Sequence, residues 1–227
     1  MTAADFSAGD FVNQLANAGA TSCLELVTLS TGVPGSKKIN VRAFTVHTRL
    51  VYVSDFQRQH EPSQHRYPAL EDLRRPVEVL ANSFDCVFID PWHNLVESFL
   101  AIELAVIGVR PGGTVIVHDC HPHDSQLRSF EPPETYPFAW CGSMWMVWSL
   151  LISDLPSTYT WLTIDADYGI GVLRAPNSKR ELRQLLRRIS AVKNAAQAIG
   201  FVAPEWAPDP DHLRLVRPDH PLVVGWT

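Results

Sequence analysis

Basic residues are in short supply in this chain: 19 Lys and Arg stand against 24 Asp and Glu, a formal net charge of -5 over 227 residues. A nucleic-acid-binding face needs clustered cations, so this balance argues against DNA or RNA as the main partner. Long apolar runs are missing too. The longest, residues 144–152, falls well short of the roughly 20 residues a bilayer span requires and is interrupted by Ser149. The opening Met1-Thr2-Ala3-Ala4-Asp5-Phe6 has neither the basic start nor the apolar centre of a secretion signal. Cysteine is sparse, with Cys23, Cys86, Cys120 and Cys141 showing no Cys-x-x-Cys spacing, which argues against a disulfide framework. These absences lead to the expectation of a soluble cytoplasmic protein with neither a membrane nor nucleic acid as partner.

What is present is ordinary for a globular fold: 46% hydrophobic and 19% charged residues. The length suits one α/β domain, with a core over about 20–175 and a C-terminal helix and Pro-rich tail over 176–227. Apolar spacing predicts a helix over 5–20, and Thr21-Ser22-Cys23-Leu24-Glu25-Leu26-Val27 reads as a first strand. Residues 41–53 suit one strand or a short pair, 57–68 a polar surface loop, and 69–82 a short helix. A strand pair is expected over 158–164 and 168–174, followed by a basic amphipathic helix over 178–199. The tail from 202 could pack on the domain or build a homodimer.

The most informative stretch lies in the middle. Phe84-Asp85-Cys86-Val87-Phe88-Ile89-Asp90 is a short apolar strand ending in an acid. A helix-length segment over 94–109 follows, then Arg110-Pro111-Gly112-Gly113 and a second apolar strand ending in His118-Asp119. In an open α/β sheet, ligands bind beyond the carboxyl ends of the strands, so Asp90 and Asp119 should share one crevice. A long loop over 119–139 leads into Trp140-Cys141-Gly142-Ser143-Met144-Trp145, and loops of that length are usually functional.

Ile89-Asp90-Pro91-Trp92-His93, His118-Asp119 and Trp140-Cys141-Gly142-Ser143-Met144-Trp145, in that order, resemble the motifs of class I S-adenosylmethionine-dependent methyltransferases. The likeness is to the bacterial group with Ile-Asp-x-x-His, His-Asp or Asp-Asp, and Trp-x-Gly-x-x-Trp segments, and Asp165-Ala166-Asp167-Tyr168-Gly169-Ile170-Gly171-Val172 is similar to that group's closing hairpin. The resemblance covers residues 84–174. It implies a Rossmann-like, mostly parallel seven-stranded sheet with an antiparallel C-terminal hairpin and helices on both faces. It also implies methyl transfer from S-adenosylmethionine to a small-molecule or sugar hydroxyl, as in natural-product or polysaccharide biosynthesis. The front half departs from the pattern. Only Gly32 and Gly35 stand where a glycine-rich loop is expected, and no acid lies between Glu25 and Asp55. Asp55 either binds the ribose after strand two, or Ser54-Asp55-Phe56 follows strand three and the ribose acid is missing.

On this resemblance Glu25, Ser30, Gly32, Ser54, Asp55, Asp90, Trp92 and His93 are the candidate cofactor contacts. His118 or His121 would take the acceptor proton, since a histidine is available as a neutral base near pH 7, and Asp119 would position it. Trp140 and Trp145 would roof the acceptor pocket. Asp90 and Asp119 could instead hold Mg²⁺, a hard ion suited to carboxylates. Two rival readings accompany this one. The glycine-poor first loop suits a methyltransferase-like scaffold that has lost its cofactor, and the His118-Asp119-Cys120-His121-Pro122-His123-Asp124 run suits a zinc-dependent hydrolase.

Overall fold

The computed structural model describes residues 6–29, 39–54, 67–129, 140–198 and 212–226. Seven strands form one sheet in the order β2-β1-β3-β4-β6-β5-β7. These are β1 (Ser22–Thr28), β2 (Val46–Tyr52), β3 (Phe84–Asp90), β4 (Val109–Val117), β5 (Trp161–Ile164), β6 (Ile170–Arg174) and β7 (Leu215–Val216). β1 runs parallel to both β2 and β3, and β3 parallel to β4. β6 is antiparallel to β4 and β5, and β7 adds parallel to β5. The fold is therefore the expected Rossmann-like mixed sheet with an antiparallel hairpin.

β1 is buried at every position and β3 at all but the last, as the near-continuous apolar runs of parallel strands covered on both faces require. Their side chains alternate between two cores. Leu24, Leu26, Val87 and Ile89 pack under α2 (Arg74–Val79), α3 (Leu95–Gly108), α4 (Met144–Asp154) and α5 (Lys179–Ala198). Cys23, Val27, Cys86 and Phe88 face α1 (Ala8–Asn17) and α6 (Pro221–Val224). α3 is apolar on nearly every side and almost wholly buried, so it is a core helix. Its two acids serve the helix and its neighbours. Glu97 exchanges hydrogen bonds with the N-cap Asn94, and Glu103 accepts from Arg74 at 3.3 Å and Ser190 at 3.1 Å.

The amino ends of the strands are tied by Asp85. Its carboxylate accepts from the Thr21 N–H at 2.6 Å, the Thr21 hydroxyl at 2.9 Å and the Ser22 N–H at 2.9 Å, and pairs with Arg110 at 2.7 Å. Nearby, Arg174 donates to the Trp226 carbonyl at 2.5 Å and the Trp226 indole donates to Thr114 at 3.2 Å, fixing the tail to the sheet.

Several sequence expectations shift. β4 begins at Val109, not 114: Arg110-Pro111-Gly112-Gly113 lies inside the strand, absorbed by a change of register opposite Phe84 and Cys86. Residues 41–53 divide into a short 3-10 turn, Val41–Ala43, and β2. The Trp140–Trp145 segment enters its helix only at Met144, because Gly142 at φ 49° breaks the helical backbone. No strand lies between β2 and β3 among the described residues, and the seventh strand comes instead from the tail. The polar loop at 57–66 and the second half of the 119–139 loop lie outside the described residues.

From β1 the chain steps outward to β2, then crosses back to lay β3 on the other side of β1. The strand order thus reverses between β1 and β3, and the crevice at such a switch point is where open α/β sheets bind ligands. Val27 lies in register with Asp90, so the Asp90 carboxylate stands at its edge. No helix among the described residues is long and apolar enough to cross a membrane.

Candidate functional site

Asp90 closes β3, and the turn after it is clamped from three sides. The Tyr52 hydroxyl, at the end of β2, accepts from the Trp92 N–H at 2.7 Å. Asn94 caps α3 by accepting from the Glu97 N–H at 2.8 Å, which ends the turn at His93. The His93 carbonyl then accepts from both the N–H of Ser143, at 2.7 Å, and its hydroxyl, at 2.9 Å. The two sequence motifs therefore hold one another. Their close approach depends on Gly142, where a Cβ would stand 2.2 Å from the His93 carbonyl oxygen. His93 Nδ1 donates to the Trp140 carbonyl; since a carbonyl can only accept, Nδ1 carries the proton and Nε2 is left facing the cluster.

Around that nitrogen the chain gathers two carboxylates and a second imidazole, with a third carboxylate on that imidazole's far side. His93 Nε2 lies 2.9 Å from Asp119 Oδ2 and 3.5 Å from Asp90 Oδ1. His118 Nδ1 lies 3.0 Å from the same Asp119 oxygen and 3.7 Å from Asp90 Oδ1, while its Nε2 lies 3.1 Å from Asp167 Oδ2. The Cys141 thiol donates to the other Asp119 oxygen at 3.2 Å. Asp119 adopts φ 61°, a left-handed backbone that turns its side chain back over the end of β4. For all their proximity, His93 Nε2 and both nitrogens of His118 lack hydrogen-bond geometry to any acceptor, although all three are buried. The ring nitrogens and carboxylate oxygens are close without aiming at each other, as donor atoms do when they surround a shared point. One oxygen each of Asp90 and Asp119 and one nitrogen of His118 lie within 4.8 Å of one another, a spacing that fits a metal ion.

Charge runs through the whole cluster. Burial alone would lower the His93 ring, but Asp119 and Asp90 outweigh it and raise it to about 10. His118 is raised in the same way, burial being overcome by Asp119, Asp167 and Asp90. Burial works to raise the Asp90 carboxyl, and His118 and His93 instead bring it down to about 2. Asp119 is held lower still by the same two rings. The two rings and the Asp90 and Asp119 carboxylates thus each favour the other's charged form. Burial and the neighbouring Asp119 charge push the Cys141 thiol up, so it stays protonated and donates.

The structure brings Asp90, His93, His118 and Asp119 together, and adds Asp167 and Cys141, which sequence reasoning did not single out as site residues. Asp167 had a visible signal in the Asp-Ala-Asp-Tyr-Gly hairpin, whose φ values of 50°, 61° and 87° at Asp167, Tyr168 and Gly169 turn it toward His118. The 118–124 run does not converge on one point. Cys120 is buried, its thiol pointing to the Val117 and His118 carbonyls. His121 and His123 face Asp165, and Asp124 caps a 3-10 turn by accepting from the Gln126 N–H at 2.8 Å. Burial and the adjacent His123 lower the His121 ring.

Glu25 sits three residues before the end of β1, fully buried, with Oε2 accepting from Arg49 at 2.8 and 3.1 Å and Oε1 paired with His47. Ser54 is buried just past β2, while Ser30, Gly32 and Asp55 lie outside the described residues. Trp92 and Trp140 meet edge to face, ring centroids 5.1 Å apart, and the Trp140 ring stands 5.6 Å from that of His93. Trp145 is buried beneath Arg128, whose guanidinium lies 5.7 Å from its ring centre.

No protein-family model matches this sequence, and no curated protein is significantly similar to it. Solved structures with a partly similar course include an O-methyltransferase from Bacillus cereus in complex with SAH. It is 17% identical with a TM-score of 0.45, the match covering 76% of this chain and 84% of that one. An O-methyltransferase family protein from Burkholderia thailandensis gives 16% identity, TM-score 0.44 and coverages of 75% and 56%. The methyltransferase MycE of mycinamycin biosynthesis, in complex with Mg and SAH, gives 16%, 0.40, 73% and 47%. This chain spans about half the length of the last two. At such values the fold statement rests on the strand order above.

Proposed function

We propose that this protein is an S-adenosylmethionine-dependent methyltransferase acting on a hydroxyl of a small molecule or sugar. The observation that carries the reading is the convergence of Asp90, His93, His118 and Asp119 at the carboxyl ends of β3 and β4, beside the β1/β3 switch point. Methyl transfer to a hydroxyl needs the acceptor held in line with the sulfonium, its proton removed and water kept out. The oxygen forms the new bond to the methyl carbon, the carbon–sulfur bond breaks, and the cofactor leaves as the neutral thioether.

His93 is the proton acceptor. Its Nδ1–H is fixed on the Trp140 carbonyl, so the proton arrives at Nε2. That nitrogen is basic enough only when free, and the charges of Asp119 and Asp90 that keep it protonated must be offset first. Asp90, His118 and Asp119 would hold a divalent cation, whose charge would offset theirs. The buried His118 nitrogens, which lack hydrogen-bond geometry to the carboxylates beside them, fit such a role. When bound, the ion would act as a Lewis acid toward the acceptor hydroxyl. Asp167 steadies the far side of the His118 ring at 3.1 Å. Trp92 and Trp140, each less than a tenth exposed, keep water from the His93 side. Ser54, with Ser30, Gly32 and Asp55, remains the candidate cofactor contact set.

Calorimetric titration with S-adenosylhomocysteine, with and without Mg²⁺ or Mn²⁺, tests the reading. A one-to-one isotherm in the micromolar range, about -8 kcal/mol, is expected. Metal addition should release protons, seen as a dependence of the heat on buffer. A flat trace at millimolar ligand on folded protein would overturn the cofactor assignment and favour the scaffold reading.

A further inference from the structure

The 118–124 run leaves two histidines outside the cluster just described, and both turn to the same carboxylate. His121 Nδ1 lies 3.7 Å from Asp165 Oδ1, and His123 Nε2 lies 3.2 Å from that oxygen. The His121 and His123 rings meet edge-on, centroids 4.9 Å apart. One donor atom from each of the three residues lies within 4.8 Å of the others. Tetrahedral bonds of about 2.0–2.1 Å to a zinc ion separate ligand atoms by roughly 3.3–3.4 Å, and the two measured separations bracket that value.

We propose that His121, His123 and Asp165 form a second divalent-metal site, of the zinc class, with a fourth position open to water or to a ligand atom. Proximity is not the whole argument. His121 is 8% exposed, and its Nδ1 and Asp165 Oδ1 are buried atoms with no hydrogen-bond partner, although they face each other. An ion between them would satisfy both.

The backbone holds the geometry in place before any ion arrives. The His121 N–H donates to the Tyr168 carbonyl at 2.7 Å, and the Asp165 N–H to the Val216 carbonyl at 2.7 Å. Arg128 grips the Pro122 carbonyl, between the two histidines, with hydrogen bonds of 3.0 and 2.7 Å. Gly169, at φ 87°, lets the hairpin approach: a Cβ there would fall 2.2 Å from the His121 backbone nitrogen. Two imidazoles and one carboxylate select borderline ions such as Zn²⁺, Co²⁺ or Ni²⁺ over Mg²⁺, which prefers oxygen. The ion would pin the loop after β4 to the β5–β6 hairpin.

The site is independent of the proposed methyltransferase chemistry, and its test needs no acceptor. Metal-free protein is titrated with ZnCl₂ and with CoCl₂, comparing wild type, His123→Ala and Asp90→Asn. His123 is 61% exposed in its side chain, so its loss should leave the fold intact, which circular dichroism checks. Wild type should bind zinc with micromolar or tighter affinity, and cobalt should give the intense visible absorption of a four-coordinate ion. In His123→Ala that absorption should vanish and zinc affinity at this site fall by at least about 10–100-fold. Asp90→Asn should keep the absorption, and zinc should raise the melting temperature of wild type more than that of His123→Ala. Failure of wild type to bind zinc, or identical zinc binding and cobalt spectra in wild type and His123→Ala, would overturn the proposal.

Discussion

Replacing Gly142 with alanine should damage this protein in two separable ways. The glycine adopts φ 49°, and an added Cβ would stand 2.2 Å from the His93 carbonyl oxygen and 2.5 Å from its Cβ. The left-handed backbone alone costs a residue with a Cβ about 1–2 kcal/mol. Relieving the clash adds to this, because ordinary contact begins near 3.4 Å, so the two backbones must part by about 1.2 Å (3.4 less 2.2). Such a forced displacement typically costs about 1–3 kcal/mol. The sum is roughly 2–5 kcal/mol. Gly19→Ala is the comparison: at φ 107°, outside the left-handed well, alanine pays at least as much backbone strain as at Gly142, yet nothing lies within 4 Å of the added Cβ. In urea unfolding of both variants at pH 7, any excess loss in Gly142→Ala over Gly19→Ala is a lower limit on the clash. A shift of this size also removes the Ser143 hydrogen bonds to His93 and spoils its 2.9 Å approach to Asp119. Mn²⁺ affinity at the Asp90 cluster should then weaken by about 10–100-fold in Gly142→Ala alone. Equal stability losses, with Mn²⁺ binding unchanged in both variants, would refute the claim that Gly142 sets the position of His93.

Asp85→Asn should destabilise the fold by about 2–3 kcal/mol near neutral pH, because the charged acceptor of three hydrogen bonds is lost. Burial tends to raise this carboxyl, but the Thr21 and Ser22 hydrogen bonds outweigh it and hold it below its ordinary 3.8. A depressed folded value means the stabilisation is complete above the ordinary range and disappears as pH falls through the folded value. Urea midpoints of wild type and variant should therefore converge below pH 3.8, and a constant gap down to pH 2 would contradict the assignment. Glu25→Gln should cost about 1–3 kcal/mol by unpairing Arg49 and His47, with S-adenosylhomocysteine affinity unchanged because both oxygens face β2. A ten-fold loss of affinity would make Glu25 a cofactor contact after all.

Much of this architecture is legible in the sequence because it is local. Apolar runs flanked by Asp and Gly mark β1, β3 and the hairpin, and Asn94 with Glu97 marks the start of α3. Asp90 and Asp119 are readable as neighbours from topology alone, since two parallel strands must end on the same side. Other features depend on contacts between distant parts of the chain. The Arg-Pro-Gly-Gly segment reads as a turn, yet a register shift against Phe84 and Cys86 keeps it in the sheet. Leu215 and Val216 carry no strand signal of their own, and only the open edge of β5 makes them one. Asp167 joins the cluster through three successive left-handed residues, a backbone path that composition does not announce. The histidines of the 118–124 run look like one group in the sequence, but the turn at Asp119 sends His118 and His121 to different carboxylates.

A group of polar ties, around Asp85, Arg110, Thr114 and Arg174, lies at one end of the sheet, while the reactive groups lie at the other. A substitution among the strand-end loops leaves those ties untouched, so the two ends can drift at different rates. Over long divergence, the ligand-facing end can be rewritten while the scaffold stays in place. The chemistry of such a sheet can change at one end without disturbing the pairing that defines the other.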